Sequence, residues 1–259
     1  MNASRTASAA VSLLTFVALA GCVRISPHQL VFDKTEDVKI TEIAVTPGSG
    51  DVTVRTAAVS MVQIKRTVRY RGDEPDANYR IEGTVLTVDT RCGRNCSVSY
   101  DITAPQGVAV GGSTGSGDLT LTNVGRVDVA TGSGSITVQG ASQAVRAETG
   151  SGDITVTDGL GPVSVEAKSG SVVGRGLGGG EVSVRTNSGD VSLTLDTPQS
   201  VRLSVGSGDV TLSVPTGSYR VSARTSSGDQ DIRVPSDPAA PFLLDLSSRS
   251  GDIELSYRL

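Results

Sequence analysis

The fold is decided by a repeated stretch, which is clearest where the chain reads SGDITVTDGLGPVSVEAKSG over residues 151–170. Ser-Gly-Asp opens the unit and is followed by a short alternating run, a turn and a second alternating run. Ser-Gly-Asp or Ser-Gly-Ser begins at eight positions from Ser116 onward, and successive starts are 17, 18, 18, 19, 19, 20 and 23 residues apart. Alternation of apolar and polar residues predicts half-buried strands. The regular spacing therefore predicts a repeating unit of two short strands.

Two strands of three to five residues cannot bury an apolar face alone, so such units must stack on one another. We therefore predict an all-β, single-domain β-solenoid, similar to a β-helix or β-roll, of about eight Ser-Gly-Asp repeats preceded by a β-rich N-terminal part. A β-sandwich would also use short alternating strands, but it has no reason to keep one tripeptide in register. Hydrophobic residues make up 37% and aromatics 3% of the chain, which favours a core of Val, Leu and Ile.

The Ser-Gly-Asp tripeptide is predicted to form a corner, because Gly adopts positive φ at low cost and Ser and Asp can bond to nearby backbone groups. The predicted structural turn residues are Gly117, Asp118, Gly152, Asp153, Gly189, Asp190, Gly208, Asp209, Gly228, Asp229, Gly251 and Asp252. Stacked corners would bring like charges together, which is unfavourable without relief. Calcium binding by the series from Asp190 to Asp252 is an alternative, but the period is about twice that of calcium-binding β-rolls. We predict no metal site and no cofactor.

The N-terminus predicts export. A short positive region at Arg5 and an apolar stretch too short to span a bilayer make residues 1–21 a secretory signal. Leu19-Ala20-Gly21-Cys22 resembles the lipobox of bacterial lipoproteins, in which the Cys thiol is acylated and the chain is cut just before it. The alternative is an ordinary secretory signal that happens to end near a Cys. The expected location is the cell membrane, lipid-anchored on its extracytoplasmic face.

Cys92 and Cys96 are predicted to form a local disulfide, because export places them in an oxidising compartment and the three residues between them can turn sharply. A zinc site is not predicted, since His28 is the sole His of the chain. Residues 22–37 show no clear periodicity and are predicted to be a lipidated tether. Residues 38–259 form the predicted repeat domain.

Catalysis is not predicted. A lipase-like Gly-x-Ser-x-Gly string occurs over residues 111–115, but the strand-to-helix context of a nucleophile elbow is absent and no base is in view for Ser113. The net charge of -4 argues against nucleic acid as a partner. A basic run at Lys65-Arg66 and Arg69-Tyr70-Arg71 could meet a polyanion, although such charges more often form a solvated face.

The repeats, the Cys92 to Cys96 pair followed by VSYDITAP at 98–105, and VPTGSYRV at 214–221 resemble the bacterial "putative adhesin" β-strand-repeat family of unknown function. The resemblance covers residues 38–259. It implies a solenoid-like β domain, often carried by envelope proteins and lipoproteins, without established enzymatic activity. Ser135 and Ser171 replace the repeated Asp and depart from the pattern.

Two functions follow as expectations. The first is a non-enzymatic cell-envelope lipoprotein that acts as an adhesive or structural binding module, with the membrane as one partner through the lipid and an unknown protein or glycan as the other. The second is an accessory of envelope-stress sensing or signalling that contacts membrane-active compounds or a membrane partner.

Overall fold

A computed structural model of the protein describes residues 28–74 and 79–258. The predicted signal peptide and Cys22 lie outside the described residues. Every regular element in the described part is a β-strand. The strands are β1 (His28–Glu36), β2 (Glu42–Thr46), β3 (Val52–Ala57), β4 (Val62–Tyr70), β5 (Tyr79–Glu82), β6 (Val85–Asp89), β7 (Cys96–Pro105), β8 (Ala109–Ser116), β9 (Leu119–Thr122), β10 (Val127–Ser133), β11 (Ile136–Gln139), β12 (Val145–Ser151), β13 (Ile154–Thr157), β14 (Val163–Ser169), β15 (Val172–Leu177), β16 (Val182–Ser188), β17 (Val191–Leu195), β18 (Val201–Ser207), β19 (Val210–Val214), β20 (Tyr219–Ser227), β21 (Gln230–Ile232), β22 (Phe242–Ser250) and β23 (Ile253–Tyr257).

The strands form two facing sheets. Sheet A has the order β1-β4-β7-β3-β9-β11-β13-β15-β17-β19-β23-β21, and sheet B has the order β20-β22-β18-β16-β14-β12-β10-β8-β2-β6-β5. From β8 to β19 each coil places one strand in sheet B and the next in sheet A, and equivalent strands of successive coils pair in parallel. The predicted all-β, solenoid-like fold class is confirmed.

The core is a column of aliphatic side chains between the sheets. Val145 lies opposite Val163 in sheet B, and Ile154 lies opposite Val172 in sheet A; these four residues are at most 3% exposed. Burial of one such side chain contributes roughly 1.5–3 kcal/mol of transfer free energy. Because each coil supplies apolar residues to both walls, the column is continuous along the stacked coils from β8 to β19.

The order of the coils in space departs from their order in the chain. Strands β22 and β23 insert between the coil of β18 and β19 and the coil of β20 and β21. The connection that follows β21 returns across the end of the stack, where Val234 and Ala240 are buried. The outermost coil is therefore joined to the rest through a segment that comes after it in the chain.

Antiparallel strands form the N-terminal end of the stack. Strand β4 pairs antiparallel with β7 and β1 pairs antiparallel with β4, while β5 pairs antiparallel with β6. We call strands β1, β4, β5, β6 and β7 the N-terminal cap. Residues 28–36 belong to this cap and not to a tether, because Leu30 and Phe32 of β1 pack against the core. Residues 22–27 lie outside the described residues, and there the tether remains a prediction.

Candidate functional surfaces

The corners of the coils form a continuous stack of glycines. In this stack the φ angles range from 133° to 150°, as at Gly189 and Gly117. A Cβ at Gly189 would lie 2.1 Å from the carbonyl oxygen of Gly170 in the preceding coil. Two requirements therefore coincide at each corner, since the residue must adopt a backbone conformation that side chains disfavour and must also let the neighbouring coil approach.

The corner aspartates are relieved of their mutual repulsion by the backbone. The Asp209 backbone N–H donates to Asp190 Oδ1 over 2.9 Å, and the Asp252 N–H donates to Asp209 Oδ1 over 2.8 Å. The Asp229 N–H donates to Asp252 Oδ1 over 2.8 Å and ends the series, because its coil is the outermost. The same bond joins Ser135 N–H to Asp118 and Ser171 N–H to Asp153. Each such carboxylate thus receives a charge-assisted hydrogen bond from the next coil.

A different corner occurs in the coil of β6 and β7. Cys92 and Cys96 are joined there by a disulfide, with Cα atoms 5.7 Å apart. Nearby, the Asp89 carboxylate accepts hydrogen bonds from the Arg91 side chain and from Thr46. The Arg91 guanidinium lowers the pKa of Asp89 to about 2. Covalent and ionic contacts therefore hold this corner in place of stacked glycine.

The outer face of sheet A is rich in hydroxyl groups. In register along the sheet, Thr120 lies opposite Thr137, and Thr137 opposite Thr155. Gln139, Val173 and Arg175 interrupt the pattern. Threonine at alternate positions, as in Leu119–Thr122, is the sequence signal that could have separated this face from other polar positions. We name as the hydroxyl face the outward side chains Thr120, Thr122, Thr137, Thr155, Thr157, Ser192, Thr194, Thr211 and Ser213.

The outer face of sheet B carries charge instead. Its ion pairs are exposed, as between Arg146 and Glu148 at 2.6 Å. A groove of about 580 Å³ crosses this face, and the small residues Ala44, Gly111 and Ser113 are among those that line it. Exposed ion pairs stabilise little, so these charges contribute little to the stability of the fold. We name as the charged face the outward side chains Asp128, Arg146, Glu148, Glu166, Arg185, Arg202, Arg224 and Asp245.

The first three residues of the lipase-like string, Gly111 to Ser113, line this groove in strand β8. Ser113 points outward from the strand, whereas the next hydroxyl, of Thr114, is buried and donates to the Gly48 carbonyl oxygen. The groove residues near Ser113 include arginines and carboxylates, and His28 lies in the N-terminal cap. Across residues 28–74 and 79–258, no group of three His, Cys, Asp or Glu side chains could hold a metal ion.

The basic run of strand β4 is divided between two faces. Lys65 points outward between Asp33 of β1 and Asp101 of β7 in the sheet register. Arg66 points inward, and its guanidinium carbon lies 4.2 Å from the centroid of the Phe32 ring. The strand therefore does not present Lys65 and Arg66 as one polyanion-binding surface.

A cavity of about 380 Å³ opens at the N-terminal end, where β1 and β4 of sheet A face β5 of sheet B. It is lined by Phe32, Lys34, Ile64, Arg66 and Tyr79, and we call it the mouth cavity. The sequence did not reveal it, because Phe32 and Lys34 lie in the segment predicted as tether. The apolar residues Leu30 and Phe32 are the signal in the sequence, and it is weak because Val31 between them is also apolar and because the inward positions that follow are Lys34 and Glu36.

Burial raises the pKa of two tyrosine hydroxyls near this end of the molecule. Burial raises the pKa of Tyr79 to about 12, and the hydrogen bond from its hydroxyl to Glu36 Oε1, 2.5 Å long, acts in the same direction. Burial likewise raises the pKa of Tyr100 to about 12, and the Tyr100 hydroxyl donates to the Asp89 carbonyl oxygen. Both tyrosines are therefore neutral donors at any physiological pH.

These observations define a class of protein: an all-β, solenoid-like domain with long exposed sheet faces. Residues 6–259 match the model of the Toastrack DUF4097 family, and the chain belongs to that family. It is not an enzyme family, and the predicted resemblance to the "putative adhesin" repeat proteins is confirmed. No functionally curated protein matches the chain.

Solved structures with similarity to this chain come from several bacteria. One, from Parabacteroides distasonis, is described as a putative adhesin; it is 14% identical with a TM-score of 0.49, covering 87% of this chain and 97% of that one. Another, from Bacteroides fragilis and also described as a putative adhesin, is 12% identical with a TM-score of 0.38, covering 88% and 97%. A putative cell adhesion protein from Clostridium sporogenes is 10% identical with a TM-score of 0.34, covering 90% and 100%.

The described residues contain no helix long and apolar enough to cross a membrane.

Proposed function

We propose that this chain is a non-enzymatic binding module, anchored by lipid at Cys22 on the extracytoplasmic face of the cell membrane, whose ligand is held on the hydroxyl face. The observation that carries the proposal is the contrast between the two outer faces. The hydroxyl face is largely uncharged over strands β9 to β19, so a ligand can cover it without stripping water from many ions.

Threonine suits such a face. Its branched side chain has few χ1 rotamers in a strand, so little side-chain entropy is lost when a ligand orders it. Thr155 and Thr157 lie about 6.6 Å apart along one strand, and adjacent strands lie about 4.8 Å apart. The resulting grid of donors, acceptors and methyl groups suits a neutral polymer with hydroxyl or amide groups, such as a glycan or an extended protein surface.

The size of the face favours weak contacts that are made many times. The part from β9 to β19 spans roughly 400 Å², about half of what one partner buries in a standard interface. Single contacts are therefore expected to be weak. Many copies anchored in one membrane would convert weak contacts into durable attachment, which is what an adhesive module requires.

A face-specific substitution tests the binding surface. Beads coated with the chain would be incubated with purified cell-wall polysaccharide and with intact cells. We expect Thr137→Lys with Thr155→Lys to lower retention at least ten-fold. The matched control places the same charges on sheet B, as Ser164→Lys with Ser183→Lys, and should bind as the wild type does. Equal retention by both double variants, or a loss confined to the control, would refute the hydroxyl face as the binding surface.

The anchor is tested separately. Cells expressing the wild type or Cys22→Ala would be labelled with a clickable palmitate analogue and divided into membrane and soluble fractions. Label and membrane retention should both be lost in the variant, since two or more acyl chains make attachment durable. Membrane retention of an unlabelled wild type would exclude Cys22 as the anchor. The envelope-stress role stays a prediction that no separate feature of the described residues favours.

A further inference from the structure

The mouth cavity combines apolar and cationic groups in a concave site. Phe32, Ile64 and Tyr79 form what we call the apolar wall. Phe32 and Ile64 come from paired strands of sheet A, and Tyr79 comes from sheet B, so the opening lies between the two sheets. The cavity volume of about 380 Å³ falls within the range of small-molecule sites.

Two cationic side chains join this wall. The Arg66 guanidinium is held over the Phe32 ring, which places a fixed positive charge beside the apolar wall. Lys34 lies at the opening of the mouth cavity, which we call its lip. It is paired with Ile64 of the neighbouring strand, and its side chain is exposed. Within the described part of the chain no carboxylate forms an ion pair with the Lys34 ammonium. The lip therefore offers a cation to an anionic group from outside.

Glu36 is the acidic group nearest to this lip on the inward side of strand β1. Its carboxylate accepts the hydrogen bond of the Tyr79 hydroxyl, and it does not line the cavity. The high pKa of Tyr79 keeps the phenol protonated, so the bond to Glu36 persists across the physiological range. Glu36 keeps its negative charge in this bond, but both charged side chains that line the cavity, Lys34 and Arg66, are cationic.

The position of the cavity relates it to the proposed anchor. Strand β1 begins at His28, six residues after Cys22. A fully extended segment of that length spans about 20 Å. If Cys22 is acylated as proposed above, the mouth lies at the end of the domain nearest to the lipid surface.

We infer that the mouth cavity binds a single-chain anionic amphiphile, with its hydrocarbon chain against the apolar wall and its head group between Lys34 and Arg66. A carboxylate head would identify a fatty acid, and a phosphate head would identify a lysophospholipid-like ligand. The inference rests on the proposed function and deepens it, because it assigns the membrane-proximal end a ligand drawn from the envelope lipids.

The test uses the full chain with Cys22→Ala, so that no acyl chain of its own can occupy the cavity. Isothermal titration calorimetry would be performed with dodecanoate, dodecyl phosphate, dodecanol and inorganic phosphate, each below its micelle concentration where it has one. We expect one site per chain for dodecanoate or dodecyl phosphate, with dodecanol at least ten-fold weaker and inorganic phosphate without measurable binding. The tighter of the two anionic probes identifies the head group.

The charge at the lip is tested by reversal. Lys34→Glu should weaken binding of the better probe at least ten-fold. Lys39→Glu changes a lysine that does not line the cavity, so it is the matched control and should bind as the parent does. Because Lys34 is exposed, its replacement leaves the core intact, and thermal melting of both variants verifies this.

Several results would overturn the inference. These are no binding of either anionic probe, equal binding of dodecanol and dodecanoate, phosphate binding as tight as that of dodecyl phosphate, or equal effects of the two lysine variants. A dimer that forms through this end and resists dodecanoate in sedimentation would show that a second copy is the occupant. Palmitate labelling of the wild type is measured independently, so loss of the anchor and loss of the cavity ligand are distinguishable.

Discussion

The corners of the repeats and the turns of the N-terminal cap contain the same residue type under different constraints. At Gly189 the φ of +133° coincides with contact to the neighbouring coil, whereas at Gly83 the φ is +62° and an added Cβ would meet nothing within 4 Å. A glycine of the cap is therefore needed only for its own turn. A glycine of the stack is also needed because a side chain there would clash with the neighbouring coil. The repeated glycine is therefore explained by the stacking of the coils as well as by the turn.

The largest effect is expected when this contrast is tested directly. Gly189→Ala should lower the free energy of unfolding by about 3 kcal/mol, because backbone strain and a clash with Gly170 add together. Gly83→Ala, the matched control, should cost about 1 kcal/mol, since only the turn conformation is affected. Urea denaturation of both variants measures the difference. Equal losses would mean that stacking adds nothing to the demand for glycine.

The disulfide, which replaces stacked glycine at a corner of the cap, should have the next effect. Replacing both Cys92 and Cys96 by Ser should lower the free energy of unfolding by about 2 kcal/mol, because closing so short a loop removes a limited amount of unfolded-state entropy. Urea denaturation of the double variant measures the loss, and the reduced wild type is the control that keeps both side chains. A reduced wild type as stable as the oxidised form would show that the corner does not depend on the bond.

The lowered pKa of Asp89, a residue of the N-terminal cap, predicts that the stability of the fold depends on pH. The pKa of Asp89 is lowered to about 2 in the folded chain, chiefly by the Arg91 side chain. Its contribution to stability is therefore present above the ordinary carboxyl pKa of about 4 and is lost as the pH falls toward 2. Solvent screening limits this contribution to about 1 kcal/mol. Asp89→Asn should be less stable than the wild type at pH 7, and in chemical denaturation the difference should vanish near pH 2. A constant difference across that range would contradict the assignment.

The smallest effect separates two aspartates of the stack. Asp209 accepts the backbone N–H of Asp252, whereas Asp229 ends the series. Asp209→Ala should therefore cost about 1 kcal/mol, as one hydrogen bond to a charged group is lost. Asp229→Ala should change stability by less than about 0.5 kcal/mol. Chemical denaturation of both variants checks this, and equal losses would show that the bonds between coils are not what stabilises the corners.

Much of the fold could be predicted because the repeat is explicit in the residues. The alternating runs at 154–156 and 163–165 lie in strands β13 and β14, and a turn lies between them, as the repeat predicts. Stacking of equivalent units follows from the small apolar area of each one. These inferences need only local periodicity and the rule that apolar faces must be covered.

Other features could not be predicted, for physical reasons. Spatial order among coils is not encoded by the tripeptide, since the corners at Ser227 and Ser250 are alike and either could pair with the coil of β18 and β19. Strand β1 could not be recognised in the sequence because its inward positions include the charged residues Lys34 and Glu36. Relief of the aspartate repulsion depends on backbone N–H groups of the next coil, whose positions are known only once the coils are stacked.

The insertion of β22 and β23 has a consequence for how the domain is made. During synthesis or export the N-terminal end of the chain emerges first. Strands β20 and β21 of the outermost coil therefore emerge before β22 and β23, which connect this coil to the others. A chain cut after Ala240 would lose an inner coil and leave β20 and β21 without their partner strands. Completion of the sheets thus requires residues 242–257, and incomplete chains expose unpaired strand edges that can pair with other chains.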